Sequence, residues 1–384
     1  MSVDWARARA TLAASLDTTP DIKAAFGRVP RHAFIPDRVW PAGLGPPLDR
    51  GSEPERWADL VYADEAVVTQ VADGRSDIGL PSSSSSMPTM MARMIEAADL
   101  RPGSRVLEIG TGTGYNAALL CELVGQENVV TVEVDPGLAA QARRRLDALG
   151  YAPTVVVGDG AAAAWAGFGK FDAVIATCSV VAVPPAWIAQ VRTGGIVVTP
   201  WAPAPDLPSG LLARLVVGGD RAGGRFCGTS SFMRLRSQRW AGGAPHDLDA
   251  EAESVSRWEG DPRDVVLGDA CLQLVMMAGP WRLGLRWADA AGEPWAWMSA
   301  TDSPSWARLH HDGRIEQGGP RRLWDEAEAA FRWWTARGRP PVTDYGLTVD
   351  TDGRQRVWLD NPDGGPWWPH PGTGALGADH RART

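Results

Sequence analysis

The stretch Arg105–Leu120, RVLEIGTGTGYNAALL, decides the fold of this chain. Its apolar run predicts a buried strand over 105–109, and the apolar spacing after the glycines predicts a helix over 115–123. Three glycines fall in five positions between them, at Gly110, Gly112 and Gly114. A strand that enters a glycine-rich turn and then a helix places free backbone N–H groups around a ligand, with the positive helix end facing it. We therefore expect an anionic or acceptor group of a ligand to bind at this loop.

Short apolar segments alternate with helical segments after this loop. Further strands are predicted over 128–134, 154–158, 171–177 and 194–200, and a further helix over 136–149. Because parallel neighbours need long connections, this alternation indicates parallel strands joined by crossovers. The predicted fold class is α/β, with a doubly wound, Rossmann-like sheet.

The regions before and after these alternating segments have different sequence patterns. Residues 1–80 indicate helices and loops, and a helix is predicted over 87–98. Thirteen of the 19 tryptophans lie from Trp240 onward, among segments that alternate between strand and helix patterns. We expect a main domain over 1–238 and a smaller α+β domain over 245–384. Its tryptophans indicate either a peptide-recognition surface or simply the core of that domain.

Composition excludes several classes of protein. The net charge of −8 disfavours a sequence-independent grip on nucleic acid. The four cysteines are widely spaced and lack metal-ligand partners, so neither a zinc site nor a disulfide framework is expected. The first residues lack the apolar core of a signal peptide, and the sequence lacks an apolar run of about 20 residues that would span a bilayer. We expect a cytoplasmic protein without bound metal.

Acidic and glycine residues follow three successive predicted strands. Glu108 lies in the first strand, Glu133 ends the second, and Asp159-Gly160 follows the third. An acid at the end of the second strand can accept hydrogen bonds from ribose hydroxyls. The glycine spacing departs by one residue from the GxGxxG dinucleotide pattern, which weakens the alternative of an NAD-linked oxidoreductase. Acid-lined walls suit a ligand with adenosine and a positive centre, so S-adenosylmethionine is the expected cofactor.

Several segments in this order resemble the class I methyltransferases of the protein L-isoaspartate O-methyltransferase type. They are RVPRHAFIPD, VYADEAVVTQ, SSMPTMMARM, VLEIGTGTGYNAALL, VEVD, VVVGDG, FDAVIAT and VRTGGIVVTPW, and the resemblance covers about residues 25–236. It implies S-adenosyl-L-methionine as cofactor and S-adenosyl-L-homocysteine as product. The expected cofactor-binding residues are Glu108, Gly110, Thr111, Gly112, Gly114, Asn116, Glu133, Val134, Asp159, Gly160 and Thr177.

The serine run before Met87 and the segment ATCSVVAVPPAWIAQV resemble family variants that accompany peptide maturation genes. These variants occur beside ATP-grasp ligases, which make graspetides, or beside lanthipeptide synthetases. This resemblance implies methylation of an aspartate in a ribosomal peptide that such an enzyme has already modified. The ester then closes to an aspartimide, with isoaspartate as a further product.

Ser86 matches the family's serine in the Ser-x-Pro segment, and we expect it, with Ser85, to contact the reacting carboxylate. A flexible linker is the alternative interpretation of the serine run. His310 and His311 are adjacent and would face opposite sides of a strand, which disfavours a metal site. A carboxylate is already ionised at neutral pH, since its reference pKa is about 4, so no general base is expected.

Three other functions remain open at this point. A general isoaspartyl repair enzyme shares the chemistry, although the extra C-terminal domain disfavours it. A non-catalytic scaffold that binds S-adenosylmethionine in a peptide maturation complex belongs to another class, and an oxidoreductase to a third. The intact set of acids, glycines and Ser86 favours activity as a methyltransferase.

Overall fold

A computed structural model describes residues 3–41, 46–162, 167–204, 207, 209–239, 250–268, 270–279, 281–285 and 294–370. The N-terminal region packs helices around two short hairpins. Its elements are α1 (Trp5–Ser15), α2 (Pro20–Arg28), β1 (Arg38–Val39), β2 (Leu48–Asp49), α3 (Pro54–Tyr62), β3 (Val67–Val71), β4 (Pro81–Ser85) and α4 (Pro88–Ala97).

The central region confirms the predicted alternation of strands and helices. Its elements are β5 (Val106–Ile109), α5 (Tyr115–Val124), β6 (Val129–Glu133), α6 (Pro136–Ala148), β7 (Thr154–Val157), β8 (Phe171–Ala176), α7 (Pro185–Gln190) and β9 (Val191–Trp201). A hairpin follows, formed by β10 (Gly210–Gly218) and β11 (Arg221–Ser230).

Three strands near the end of the described chain join the same sheet: β17 (Tyr345–Asp350), β18 (Gln355–Leu359) and β19 (Trp367–His370). Within the described residues the sheet has ten strands, in the order β19-β18-β17-β11-β10-β9-β8-β5-β6-β7. The pairs β7/β6, β6/β5, β5/β8 and β8/β9 are parallel. The chain runs outward from β5 to β7 and then crosses to β8 on the other side. Ligands bind at such a reversal of strand order, outside the carboxyl ends of the strands.

Apolar cores cover both faces of this sheet. One cluster includes Ala118 of α5 and Val198 of β9, and the other includes Leu107 of β5 and Leu347 of β17. All four residues of β5 are buried, as expected for a parallel strand covered on both faces. The predicted Rossmann-like α/β fold is confirmed.

A second, five-stranded antiparallel sheet lies between β11 and β17 in the chain. Its elements are β12 (Ser254–Arg257), α8 (Pro262–Val266), α9 (Cys271–Ala278), β13 (Trp281–Leu285), β14 (Ala296–Ala300), β15 (Trp306–Leu309), β16 (Arg314–Gly318) and α10 (Leu323–Ala336). Trp281, Trp295, Trp324 and Trp334 are buried in its core. These tryptophans therefore pack the unit and do not form its surface.

The expected division at residue 245 differs from the structure. Strand β17 pairs antiparallel with β11, from Arg221↔Asp350 to Arg225↔Gly346, and β18 and β19 extend the sheet from there. The last three strands thus belong to the main sheet, and only the part between them and β11 forms a separate sheet. The segment 240–253, whose sequence is typical of a linker, falls mostly outside the described residues.

The serine run forms a strand, and not the flexible linker that was its alternative interpretation. Residues 81–85 form β4, which pairs antiparallel with β3 in the register Val67↔Ser85 and Val68↔Ser84. Helix α4 begins directly after it with Pro88, and Asp64 accepts hydrogen bonds from Thr89 N at 2.8 Å and Thr89 Oγ1 at 2.6 Å. Such side-chain capping fixes the first turn of a helix.

Among the described residues, no helix combines the length and the apolarity that crossing a bilayer requires.

The substitution Leu347→Ala tests whether β17 belongs to the main core. Leu347 is fully buried in the cluster that contains Leu107 of β5. Removing a buried leucine side chain costs about 2–5 kcal/mol, so we expect a loss of that size in the free energy of unfolding measured with urea. Leu267→Ala is the matched control, because Leu267 is 47% exposed. A loss at Leu347 no larger than at Leu267 would contradict the shared core.

Candidate functional site

A cavity of about 520 Å³ lies at the carboxyl ends of β5, β6 and β8. Three segments form its walls. The first is the glycine loop with the ends of β6 and β7; the second is the serine strand β4 with Met87 and Met90; the third is the strap, which we define as Ser231–Arg239. The cavity thus lies where the strand order reverses.

Glycines allow the backbone of the loop to line this cavity. Gly110 has φ +95°, and a β-carbon there would lie 2.7 Å from Thr177 Oγ1. Thr177 Oγ1 donates a hydrogen bond to the carbonyl oxygen of Gly110 at 2.7 Å. Gly160 contacts the loop from the other side, since its β-carbon would lie 2.3 Å from Ile109 Cγ2. Larger residues at Gly110 and Gly160 would push these segments apart.

Glu133 joins the glycine loop to the end of β6. Its Oε2 accepts a hydrogen bond from Gly112 N at 2.9 Å, and its Oε1 accepts one from Asp135 N at 3.0 Å. The residue is 6% exposed and lines the cavity, and burial raises the pKa of its carboxyl. Each carboxylate oxygen can accept a second hydrogen bond, so Glu133 can still bind ligand hydroxyls.

Glu108 lies beneath the loop instead of on the cavity wall. Its carboxyl accepts hydrogen bonds from Asn116 Nδ2 at 2.7 Å and from Thr131 Oγ1 at 2.5 Å. Burial raises the pKa of Glu108 to about 7. Glu108 and Asn116 therefore link β5 to α5 below the loop, and both were expected to bind the cofactor directly.

Three other expected cofactor residues also make internal contacts. Thr111 Oγ1 forms a hydrogen bond with Thr131 Oγ1 at 2.7 Å, and Gly114 precedes α5 with φ +91°. Asp159 Oδ1 accepts hydrogen bonds from Ala161 N at 3.0 Å and Ser237 Oγ at 3.1 Å. The expected residues that the structure places together on the cavity wall are Gly110, Gly112, Glu133, Val134, Gly160 and Thr177.

The serine strand forms the wall opposite the glycine loop. Ser82, Ser83, Ser84 and Ser86 line the cavity. A β-carbon at Gly112 would lie 3.4 Å from the carbonyl oxygen of Ser84, so the strand packs closely on the loop. Ser85 is a correction to the sequence analysis: it is buried, and its Oγ accepts a hydrogen bond from Arg31 Nε at 3.4 Å. The register of the hairpin turns this side chain away from the cavity.

Arg31 supports the serine strand, and sequence reasoning did not select it. Its guanidinium is fully buried and donates to the carbonyl oxygens of five residues: Val61, Ala63, Glu65, Ser85 and Ser86, at 2.8–3.3 Å. Burial lowers the pKa of Arg31 to about 10. The fork of donors fixes the end of β4 to the segment after α3. The signal available in sequence was the Pro-Arg pair of RVPRHAFIPD.

The strap was also missed, since its sequence carries no motif. Ser179 holds its middle, because Ser179 N donates to Met233 O and Leu235 N donates to Ser179 O, both at 2.8 Å. Gln238 Oε1 accepts hydrogen bonds from the backbone N of Val181 at 2.7 Å. Only the folded chain brings this segment over the cavity.

The two adjacent histidines make separate contacts with arginines. His310 Nδ1 lies 3.1 Å from Arg314 Nη2, and His311 Nδ1 lies 2.9 Å from Arg263 Nη2. In the described part of the chain, no three His, Cys, Asp or Glu residues are grouped so that they could hold a metal ion.

The chain is similar in sequence to one family of known proteins. Residues 53–209 match the family model "Protein-L-isoaspartate(D-aspartate) O-methyltransferase". The chain is 38% identical over 182 residues to the protein-L-isoaspartate O-methyltransferase of Picosynechococcus sp., over 47% of this chain and 68% of that protein. It is 50% identical over 117 residues to that of Ignicoccus hospitalis, over 30% of this chain and 55% of that protein. It therefore spans about half the length of the Ignicoccus relative.

A solved structure of a protein-L-isoaspartate O-methyltransferase shares the fold with a TM-score of 0.53 and 22% identity. The match covers 93% of this chain and 100% of that one, so it necessarily extends into the region after residue 238.

The substitution Glu108→Gln tests the burial of this carboxyl. In the unfolded chain Glu108 loses its proton near its ordinary pKa of 4.5, whereas the folded chain retains the proton up to about pH 7. Stability that depends on this group is therefore present below about pH 4.5 and is lost as the pH rises to about 7.

We expect the free energy of unfolding of the Gln variant to fall less between about pH 5 and pH 8 than that of the parent, by up to about 3 kcal/mol. Urea unfolding without cofactor measures it. Glu127→Gln, at an exposed site, is the control. Parallel pH profiles for the parent and the Glu108 variant would show that Glu108 is already ionised when folded.

Proposed function

Because this chain belongs to the protein-L-isoaspartate(D-aspartate) O-methyltransferase family, we propose that it esterifies a carboxylate of an aspartate-derived residue in a peptide. It is an S-adenosylmethionine-dependent protein carboxyl O-methyltransferase, and S-adenosylmethionine is its cofactor. The observation that carries the proposal is one cavity with a carboxylate and glycine backbone on one wall and serines on the other.

The residues of the first wall fit this cofactor. The Glu133 carboxylate faces the cavity with acceptor capacity for ribose hydroxyls, and Gly110 and Gly160 keep the backbone open where a β-carbon would collide. Val134 is 38% exposed at the cavity and offers an apolar surface to an adenine ring. Glu108, Asn116 and Thr111 would support these residues from below.

The bound cofactor supplies an electrophilic methyl group on a positively charged sulfur. The serine strand would hold the acceptor, with the Ser86 hydroxyl and neighbouring serines donating hydrogen bonds to its carboxylate. Because that carboxylate is ionised at neutral pH, the chain needs to orient it and exclude water, and no proton has to be removed. Orientation of this kind contributes up to roughly 7–11 kcal/mol to a barrier.

For the acceptor we propose an aspartate in a constrained ribosomal peptide that an ATP-grasp ligase or a lanthipeptide synthetase has already modified. Its methyl ester would close to an aspartimide when the next backbone nitrogen attacks and methanol leaves; water would then open the imide to isoaspartate. The support is the resemblance of the serine run and of segment 176–191 to variants of that kind.

Repair of isoaspartyl residues in general proteins is the second candidate, and the names of the relatives favour it. The C-terminal region does not separate the two candidates, because a solved structure named protein-L-isoaspartate O-methyltransferase matches this fold over 93% of the chain. A scaffold function is disfavoured, since Glu133, the glycine loop and Ser86 are all present at one cavity.

The substitution Glu133→Gln tests the cofactor assignment. The amide keeps the size of the side chain but replaces one charged acceptor oxygen with a donor. Because hydrogen bonds to charged groups contribute about 1.5–3 kcal/mol, we expect the dissociation constant for S-adenosylhomocysteine to rise at least about tenfold in calorimetry. Glu127→Gln should bind like the parent. Unchanged affinity at position 133 would remove Glu133 from the cofactor site.

Mass spectrometry with two kinds of acceptor tests the proposed reaction. The first is a side-chain-bridged peptide with a free aspartate, and the second is a linear peptide with isoaspartate; each has a twin with asparagine at that position. We expect a gain of about 14 Da, or a loss of about 18 Da after ring closure, on the bridged peptide. Modification of the linear isoaspartyl peptide alone would instead establish the repair activity, and no change on either would refute methyl transfer to peptides.

Ser86→Ala belongs in the same assay. It should lower turnover of the accepted peptide while the affinity for S-adenosylhomocysteine stays near that of the parent, because Ser86 lies on the acceptor wall. Unchanged turnover would remove Ser86 from the acceptor site.

A further inference from the structure

The loop between β3 and β4 meets the strap at Asp73. Arg239 Nη1 lies 2.7 Å from Asp73 Oδ1, and Arg236 Nη2 lies 3.4 Å from the same oxygen. Arg236 Nη2 also lies 3.5 Å from Asp135 Oδ2, at the end of β6. Both arginines line the cavity. Arg236 Nη2 therefore lies between two carboxylates, one from the β3–β4 loop and one from the end of β6.

Hydrogen bonds on the hairpin side close these contacts into a ring. Asp73 N donates to Ser82 Oγ at 3.0 Å, and Ser82 Oγ donates to Gln70 Oε1 at 2.8 Å. Gln70 Nε2 donates to Asp135 Oδ2 at 3.3 Å. The ring thus runs from Asp73 through Ser82, Gln70, Asp135 and Arg236 back to Asp73. The ring therefore connects the serine strand β4 to the end of β6, which carries Glu133.

The ring is one hydrogen bond away from Glu133. Asp135 N donates to Glu133 Oε1 at 3.0 Å, and Asp135 Oδ1 caps α6 by accepting from Gly137 N. Asp135 is thereby held on the cofactor side. Because β3 and β4 form a two-stranded sheet of their own, the ring is a direct connection between the serine strand and the strand end at Glu133.

The backbone at Asp73 is in a conformation that non-glycine residues rarely adopt. Ala72 has φ 48° and Asp73 has φ 52°. Such conformations are costly and persist where the surroundings fix them, often at functional sites. The hydrogen bond from Arg239 lowers the pKa of Asp73, so the side chain is a carboxylate when it meets the two arginines. The ion pairs explain how the strained turn is held.

We propose that Asp73 is a positioning residue for methyl transfer: through Arg236, Arg239 and Ser82 it holds the serine strand at a fixed separation from the cofactor crevice. This inference rests on the proposed function, because it takes the serine strand as the acceptor wall. A misplacement of about 1 Å can lower a rate by about a hundredfold, so a small movement of this wall matters for an in-line reaction. Asp73 itself would touch neither the cofactor nor the acceptor.

Asp73→Asn is the informative substitution. Asparagine tolerates the left-handed backbone, and the variant keeps the N–H that binds Ser82, so it removes chiefly the negative charge. Asp77→Asn is the matched control, since Asp77 lies in the same β3–β4 connection and pairs at 3.2 Å with the exposed Arg38. We expect kcat for the accepted peptide to fall at least about tenfold in Asp73→Asn, with affinity for S-adenosylhomocysteine within about threefold of the parent.

The dependence of kcat on salt concentration should distinguish a positioning role of Asp73 from a general structural defect. Because partly exposed ion pairs are screened by salt, kcat of the parent and of Asp77→Asn should fall as the salt concentration rises, and that of Asp73→Asn should change little. A kcat near that of the parent would overturn the proposal. So would a loss of cofactor affinity in proportion to kcat, because Asp73 would then act only on cofactor binding.

Amide hydrogen exchange tests whether Asp73 holds the serine strand, and it requires no measurement of turnover. We expect the amides of Ser82–Ser85 to exchange at least about tenfold faster in Asp73→Asn than in the parent or in Asp77→Asn, since weaker tethering raises local opening. Equal exchange in all three proteins would overturn the proposal. If the parent methylates neither class of peptide, the proposed function fails, whereas the exchange comparison still decides whether Asp73 holds the strand.

Discussion

The Glu133 carboxylate accepts hydrogen bonds from the backbone on both sides of the cavity edge, from Gly112 in the loop and from Asp135 at the start of α6. This pair of contacts fixes where the loop lies relative to β6. The serine strand then packs on Gly112, with Ser84 O at contact distance from where a β-carbon would be. The position of the acceptor wall is therefore set against the same carboxylate that is proposed to bind the cofactor.

Two acids that look alike in sequence occupy different environments. Glu133 lines the cavity, whereas Glu108 is buried below it with Asn116 and Thr131 as partners. Burial disfavours the charged form of a carboxyl, which is why the pKa of Glu108 rises to about 7. Below that pH the acid is neutral, and a neutral, hydrogen-bonded acid links a strand to a helix at lower cost than a buried charge. The cavity-facing acid has the acceptor capacity that a ligand needs.

Apart from the short helix α7, the elements from β5 to β9 were predictable, because each strand and helix has its own local pattern. The outer sheet was not. The sequence around Asp352-Gly353 indicates the hairpin formed by β17 and β18, but a local pattern does not specify that β17 pairs with β11 more than a hundred residues earlier. The predicted C-terminal domain therefore included three strands, β17 to β19, that belong to the main sheet.

The cavity wall formed by β4 was also not predictable from local sequence patterns. Serine-rich segments are typical of loops, and only the pairing with the valine-rich β3 makes residues 81–85 a strand. The face that Ser85 takes depends on that register, and Arg31 fills the space behind it through contacts with five carbonyl groups. Arg236 and Arg239 carry no recognisable spacing and matter only because the folded strap crosses the cavity.

A crystal structure of this chain with S-adenosylhomocysteine would locate the cofactor relative to Glu133 and β4. We expect ribose hydroxyls within hydrogen-bond distance of Glu133 and a sulfur atom that faces the serines of β4. A ligand bound away from Glu133, or one whose sulfur faces away from Ser86, would contradict this expectation.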